Sequence, residues 1–222
     1  MTHRTLIVGA SGGIGRALAA EFDGRGHEVT GLSRSADGID VTDEASVERA
    51  LGPLDPGFVT VVVATGVLGT DAYTPEKAIA QVTPEGLADQ YRVNAIGPML
   101  VLKHAVRLIP EDERAVIAVL SARVGSIGDN RIGGWHGYRA AKAGLNQLMH
   151  GATVELARTH PRAILLCLHP GTVETPFTAK YAARHKTVPA ADAARTLADV
   201  IDRATPEHSG GFYDYAFEEI PW

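Results

Sequence analysis

Tyr138 and Lys142, in the stretch Gly137-Tyr138-Arg139-Ala140-Ala141-Lys142, join two residue types that exchange protons. Four residues apart on a helix, they share one face, separated by about one turn. An ammonium beside a phenol favours the phenolate, so the pair predicts a tyrosine that titrates below its usual ~10. Such a pair is the acid/base half of interconverting a carbonyl and an alcohol. Helices carry this spacing by chance, so its meaning depends on what the rest of the chain builds around it.

At the other end of the chain, Leu6-Ile7-Val8 runs into Gly9-Ala10-Ser11-Gly12-Gly13-Ile14-Gly15 and then Arg16-Ala17-Leu18-Ala19-Ala20. Glycines let a backbone turn tightly and approach a pyrophosphate, while the helix start offers free N–H groups and the positive end of its dipole. A strand–Gly cluster–helix in an α/β chain predicts a dinucleotide cradle. The second strand ends Gly31-Leu32-Ser33-Arg34-Ser35, without the carboxylate that would hold a ribose diol and repel a 2′-phosphate. A hydroxyl and a guanidinium accept that phosphate, so Ser33 and Arg34 point to NADP(H), with NAD as the alternative.

The elements that must position these groups alternate along the chain. Apolar runs of strand length fall at 5–8, 28–32, 58–64, 115–120 and 163–168, and helical patterns at 14–22, 44–51, 84–108, 138–158 and 190–203. Ile39-Asp40-Val41 and Phe212-Tyr213 are candidate edge strands. The strands are continuously apolar, as in a parallel sheet covered on both faces. The expected fold is α/β: a single doubly wound Rossmann-fold domain over residues 1–222, mostly parallel, with helices on both faces.

Composition is that of an ordinary globular protein, 45% apolar and 21% charged, and the net charge of −5 disfavours nucleic acid. No apolar run approaches the ~20 residues of a membrane helix, and nothing after Met1 reads as a signal segment, so a cytoplasmic protein is expected. Cys167 has no second cysteine to pair with and is expected inside a strand. The nine histidines show no His-x-x-x-His pair, so no metal site is expected.

With these residues, the chain resembles the short-chain dehydrogenase/reductase family over nearly its whole length. Gly9, Gly13 and Gly15 match the family's nucleotide turn, in which Ser11, Gly12 and Ile14 also lie. Asp40-Val41 matches its adenine-contacting pair. Ala64-Thr65-Gly66 stands where the family usually has Asn-Ala-Gly, and only the glycine is kept. The resemblance implies that Asn94 helps hold a proton-relay water near the lysine and that Tyr138 and Lys142 are the catalytic pair. It also implies that Pro170, Gly171, Val173 and Thr175 meet the nicotinamide carboxamide. Ser121–Ile127, Asp129-Asn130, Gly133-Gly134-Trp135 and the tail Glu219-Ile220-Pro221-Trp222 resemble the compact C-factor-like, sniffer-type carbonyl reductase branch.

One departure stands out. The family's catalytic serine, second of a Ser-Ser pair and three residues before a glycine, falls at Ala122 when counted back from Gly125. Ser121 after a register shift is the preferred replacement, Ser126 the next, and the third alternative is that no hydroxyl is supplied. The loop to Tyr138 is also a few residues longer than usual. Trp135, His136 and Phe177 are candidate pocket residues. The short segment between Thr175 and Pro189 suggests an open site for small carbonyl or alcohol substrates. It equally permits a nucleotide-binding regulatory protein with weak or no turnover; an extended-branch epimerase lacks room for its substrate domain. Ala140, Ala141, Ala143, Gly144, Leu145, Leu148 and Met149 suggest helix pairing in a homodimer or homotetramer, or packing on the chain's own sheet.

Overall fold

The computed structural model describes residues 2–69, 73–175 and 187–222. Six parallel strands, β1 (Arg4–Val8), β2 (Glu28–Leu32), β3 (Phe58–Val63), β4 (Ala115–Leu120), β5 (Ala163–His169) and β6 (Phe212–Asp214), form one sheet in the order β2-β1-β3-β4-β5-β6. The helices are α1 (Gly13–Gly24), α2 (Arg34–Asp37), α3 (Glu44–Leu51), α4 (Pro84–Tyr91), α5 (Gly97–Ala105), α6 (His136–Leu156) and α7 (Ala190–Arg203). Both strand faces are apolar because both are covered. Leu6, Val8, Val61, Val63, Ile117 and Val119 pack with α3, α5 and α6, while Ile7, Val62, Val116 and Ala118 pack with α1 and α7. This is a single α/β domain with helices on both faces of a parallel sheet. The strand order reverses between β1 and β3, and the crevice outside the carboxyl ends of such strands is where α/β sheets take ligands.

Two details depart from the sequence expectation, and one decides between its alternatives. Ile39-Asp40-Val41 forms no strand. The Asp40 carboxylate accepts the Thr42 amide and hydroxyl at 2.9 and 2.7 Å, and the Asp40 amide donates to Ser46 Oγ at 3.0 Å, so these groups are withdrawn from any ladder. The helix expected over 84–108 widens into a π turn at Arg92–Ile96 between α4 and α5. Pro98 has no N–H to give the Asn94 carbonyl, which is the local reason for the widening. Within α6, Ala141, Leu145 and Met149 are buried in the chain's own core. A Cβ on Gly144 would lie 2.0 Å from the Tyr91 hydroxyl, so that glycine admits α4.

Candidate active site

The Gly-rich turn sits at the reversal of strand order. Gly9 has φ +98°, and an added Cβ there would stand 3.0 Å from the Ala64 carbonyl carbon, so the turn after β1 lies directly on the end of β3. On Gly15 a Cβ would meet the Gly9 carbonyl oxygen at 2.2 Å, and on Gly13 it would meet Thr175 Cγ2 at 2.5 Å. No side chain caps α1, which leaves its first-turn N–H groups directed at the crevice. Room for close approach together with open amides fits a dinucleotide pyrophosphate.

A cavity of about 330 Å³ opens from this turn. Its wall brings together Ser11, Gly12, Gly13, Ile14, Ala64, Thr65, Gly66, Ser121, Tyr138, Lys142, Pro170, Gly171, Val173 and Thr175, all expected from sequence. Gly9 and Gly15 shape the turn behind it. Asn94 lies beneath Gly66, and Ser33, Arg34, Asp40 and Val41 lie beyond β2, outside the cavity. Arg16, Leu120 and His169 also line it and were not anticipated. A second cavity, on the side of Leu68, Val124, Ile132 and Trp135, shares Ala122, Tyr138, His169 and Gly171 with the first. Trp135 is thus a pocket wall, His136 is not among the lining residues, and Phe177 lies outside the described residues.

The Tyr138–Lys142 face differs electrostatically from its sequence reading. Lys142 Nζ lies 5.9 Å from the Tyr138 ring centroid and donates to the Leu120 carbonyl at 2.8 Å. Both side chains are buried, and lost hydration opposes the charged form of each. Burial therefore raises the Tyr138 hydroxyl above its ordinary range rather than lowering it. Burial also pushes the Lys142 ammonium down to about 8, offset in part by the Cys167 side chain beneath it. Cys167 is itself a buried strand residue, as expected.

Asn94 is fully buried and its side chain is committed. Its Nδ2 donates to the Val67 carbonyl at 2.8 Å and to Gln90 Oε1 at 2.9 Å, and its Oδ1 accepts the Val67 amide at 3.0 Å. It pins the loop after β3 against the lysine: a Cβ on Gly66 would stand 3.0 Å from Asn94 Oδ1 and 3.6 Å from Lys142 Nζ.

Neither candidate serine carries a free proton toward the shared wall. Ser121 Oγ donates to Asn146 Oδ1 at 2.6 Å. Ser126 Oγ donates to the Pro221 carbonyl and accepts the Asp129 amide, tied into the C-terminal tail. Ala122, between them, lines both cavities and has no hydroxyl.

At the end of β2, Ser33 caps α2 by accepting the Ala36 amide at 3.1 Å. The sequence reading found no carboxylate at the end of β2. Folding supplies one from four residues on, because the Ser33 amide donates to Asp37 Oδ2 at 2.8 Å.

Glu76, from the segment after β3, was also missed. Its carboxylate, 2% exposed, accepts the Gly137 amide at 3.3 Å, and its carbonyl accepts the Trp135 amide at 2.5 Å, fixing the start of α6. Trp135 there has φ +52°, following Gly133 and Gly134 at +70° and +66°.

Among the described residues no helix is long and apolar enough to cross a membrane, and no group of three His, Cys, Asp or Glu is placed to hold a metal.

Residues 32–211 match the family model described as enoyl-(acyl carrier protein) reductase. The chain is 31% identical to the 1-hydroxy-2-glutathionyl-2-methyl-3-butene dehydrogenase of Rhodococcus sp. (strain AD45), over 93% of this chain and 94% of that protein. It is 34% identical to the C-signal protein of Myxococcus xanthus over 65% of this chain and 84% of the other, in keeping with the compact branch named above. A short-chain dehydrogenase/reductase of Burkholderia multivorans with bound NADP shares the fold over the whole of both chains, with a TM-score of 0.84 at 24% identity. End-to-end sequence similarity to a dehydrogenase, on a fold whose strand reversal holds the glycine turn, means that this chain belongs to the short-chain dehydrogenase/reductase family of oxidoreductases.

Proposed function

We propose that the protein is an NADP(H)-dependent oxidoreductase of small carbonyl or alcohol substrates in which Tyr138 is the acid/base. The observation that carries this reading is that Tyr138 belongs to both cavity walls, the glycine-turn side and the apolar side. When bound, a reduced dinucleotide would supply the hydride that a carbonyl carbon takes up. Gly9 to Gly15 would hold its pyrophosphate, Ser33 and Arg34 the 2′-phosphate, and Asp40 and Val41 the adenine. Ala64, Thr65, Gly66, Pro170, Gly171, Val173 and Thr175 would flank the remainder. Tyr138 gives its proton to the oxygen as negative charge develops there. Its raised affinity for that proton makes it a poor phenolate donor of charge but a retained acid until the oxygen becomes basic. Lys142, near neutrality in its own titration, replaces the proton, and Asn94 keeps Gly66 and Val67 against the lysine. NADP-bound relatives of the same fold support the phosphate-bearing cofactor.

The test is NADPH oxidation against a panel of aldehydes, ketones and quinones. Wild type should turn over at least one class, and Tyr138→Phe should lose about 10²–10⁴-fold in kcat. A second reading, a nucleotide-binding regulatory protein with little turnover, is favoured by Ala122 and by the committed hydroxyls of Ser121 and Ser126. Tight NADPH binding with no turnover on any class would select it. The homodimer or homotetramer expected from α6 remains within this proposal, supported by exposed Tyr91, Ile96 and Val154 on the helices of that side. Sedimentation at micromolar concentration tests it.

A further inference from the structure

A carbonyl poised for reduction needs a proton donor and a second group that holds its oxygen in place. Among the described residues, those common to both cavities are Ala122, Tyr138, His169 and Gly171, and of these Tyr138 and His169 have side chains that can donate a hydrogen bond. The nearby hydroxyls are spent or misplaced. Ser121 is bonded to Asn146 and Ser126 to the tail, while Thr65 lines the glycine-turn cavity alone. His169 closes β5, two residues after Cys167, whose side chain is electrostatically coupled to Lys142. Alternate strand residues share a face, so His169 faces α6 and the Tyr138–Lys142 pair. Its Nδ1 is buried with no hydrogen-bond partner among the described residues, so no contact within the fold commits the ring.

We propose that His169 is a catalytic residue of this site, donating a ring N–H to the substrate carbonyl oxygen that Tyr138 protonates. The inference rests on the carbonyl reduction proposed above. With hydride delivered to the carbonyl carbon by a reduced dinucleotide, the C=O π pair would move to oxygen. The oxygen then takes the Tyr138 proton, and His169 keeps its own. Burial and the Arg123 cation hold the imidazole down to about 4, against a smaller opposing pull from Asp214. The ring is therefore neutral at pH 7, a hydrogen-bond donor that does not compete with Tyr138 as the acid.

The experiment compares wild type, His169→Ala, His169→Ala with Ala122→Ser, and Tyr138→Phe, using NADPH and a small aromatic aldehyde. His169→Ala should lose about 10²-fold in kcat, as when an oxyanion donor is removed, with NADPH affinity within about 3-fold of wild type. Restoring a hydroxyl at position 122 should recover at least about 10-fold of that loss. A His169→Ala enzyme within about 3-fold of wild type, while Tyr138→Phe is inactive, overturns this proposal and leaves the acid/base reading standing. A fully active Tyr138→Phe instead overturns the acid/base reading. Independently of turnover, the ring N–H resonance of His169 in wild type with NADP⁺ should shift when the aldehyde is added. No shift in the presence of bound aldehyde overturns the assignment.

Discussion

Ser121 Oγ lies 2.6 Å from Asn146 Oδ1, one turn along α6 from Lys142, and this contact turns the serine away from the shared wall. Asn146 is buried in α6, and its Nδ2 has no partner among the described residues. Ser121 therefore braces β4 on α6. Ser121→Ala should keep kcat within about 3-fold and cost roughly 1–3 kcal/mol by stranding a buried amide. Urea denaturation and NADPH-linked kinetics on the same preparation separate the two effects. A loss near 10²-fold in kcat with unchanged stability would restore Ser121 to the substrate.

In the function proposed above, cofactor choice turns on Arg34 and Asp37. Asp37 Oδ2 accepts the Ser33 amide at 2.8 Å, a donor that a 2′-phosphate would also seek. Arg34→Asp should weaken NADP at least about 10-fold while leaving NAD within about 3-fold, because only the phosphate pairs with the guanidinium. Asp37→Asn should tighten NADP by removing a competing negative charge. Fluorescence titration of both cofactors reads both variants, and equal losses for NAD and NADP in Arg34→Asp would refute the assignment.

Much of the scaffold was legible because its causes are local. Thr83 and Asp43 cap α4 and α3, and the strands are apolar on both faces because helices cover both. The glycine turn and the Tyr138–Lys142 spacing needed only local geometry. What stayed hidden depends on contacts that exist only once the chain has folded. Glu76 meets Gly137 across 61 residues of chain, and Asp37 reaches Ser33 only once α2 has formed. His169 left one signal, a titratable residue ending an otherwise apolar strand just before Pro170-Gly171, but its meaning required two cavities to meet there. The direction of the Tyr138 shift was misread because a shared helix face says nothing about burial.

Glu76 should prove to be the residue that holds the start of α6. A carboxylate accepting a first-turn amide is favoured by both hydrogen bonding and the helix dipole. Glu76→Gln keeps an acceptor and should cost about 1 kcal/mol; Glu76→Ala strands the Gly137 amide and should cost about 2 kcal/mol. At roughly 2–4 °C per kcal/mol for a chain of this size, thermal melts resolve the two variants. Because Trp135 sits left-handed beside Tyr138, Glu76→Ala should also lower kcat more than it raises KM. An unchanged melting temperature in Glu76→Ala would show that the carboxylate does not hold this turn.

His169 makes stability depend on pH in a definite direction. Its native imidazole, held down to about 4 by burial and Arg123 against the opposing Asp214, stays neutral where an unfolded histidine near ~6.5 is already protonated. Between those values the unfolded chain binds the extra proton, so stability is full above about pH 6.5 and falls as pH drops toward about 4. About 2.5 units at 1.36 kcal/mol each make the loss roughly 3 kcal/mol. His27, also lowered by burial, titrates in the same direction, so the informative quantity is a difference between proteins. The urea midpoint of wild type should fall more steeply from pH 7.5 to 4.5 than that of His169→Gln, whose amide does not titrate. Parallel slopes for the two proteins would mean that the imidazole is protonated in the folded state, and a protonated ring at this wall would compete with Tyr138 as the acid.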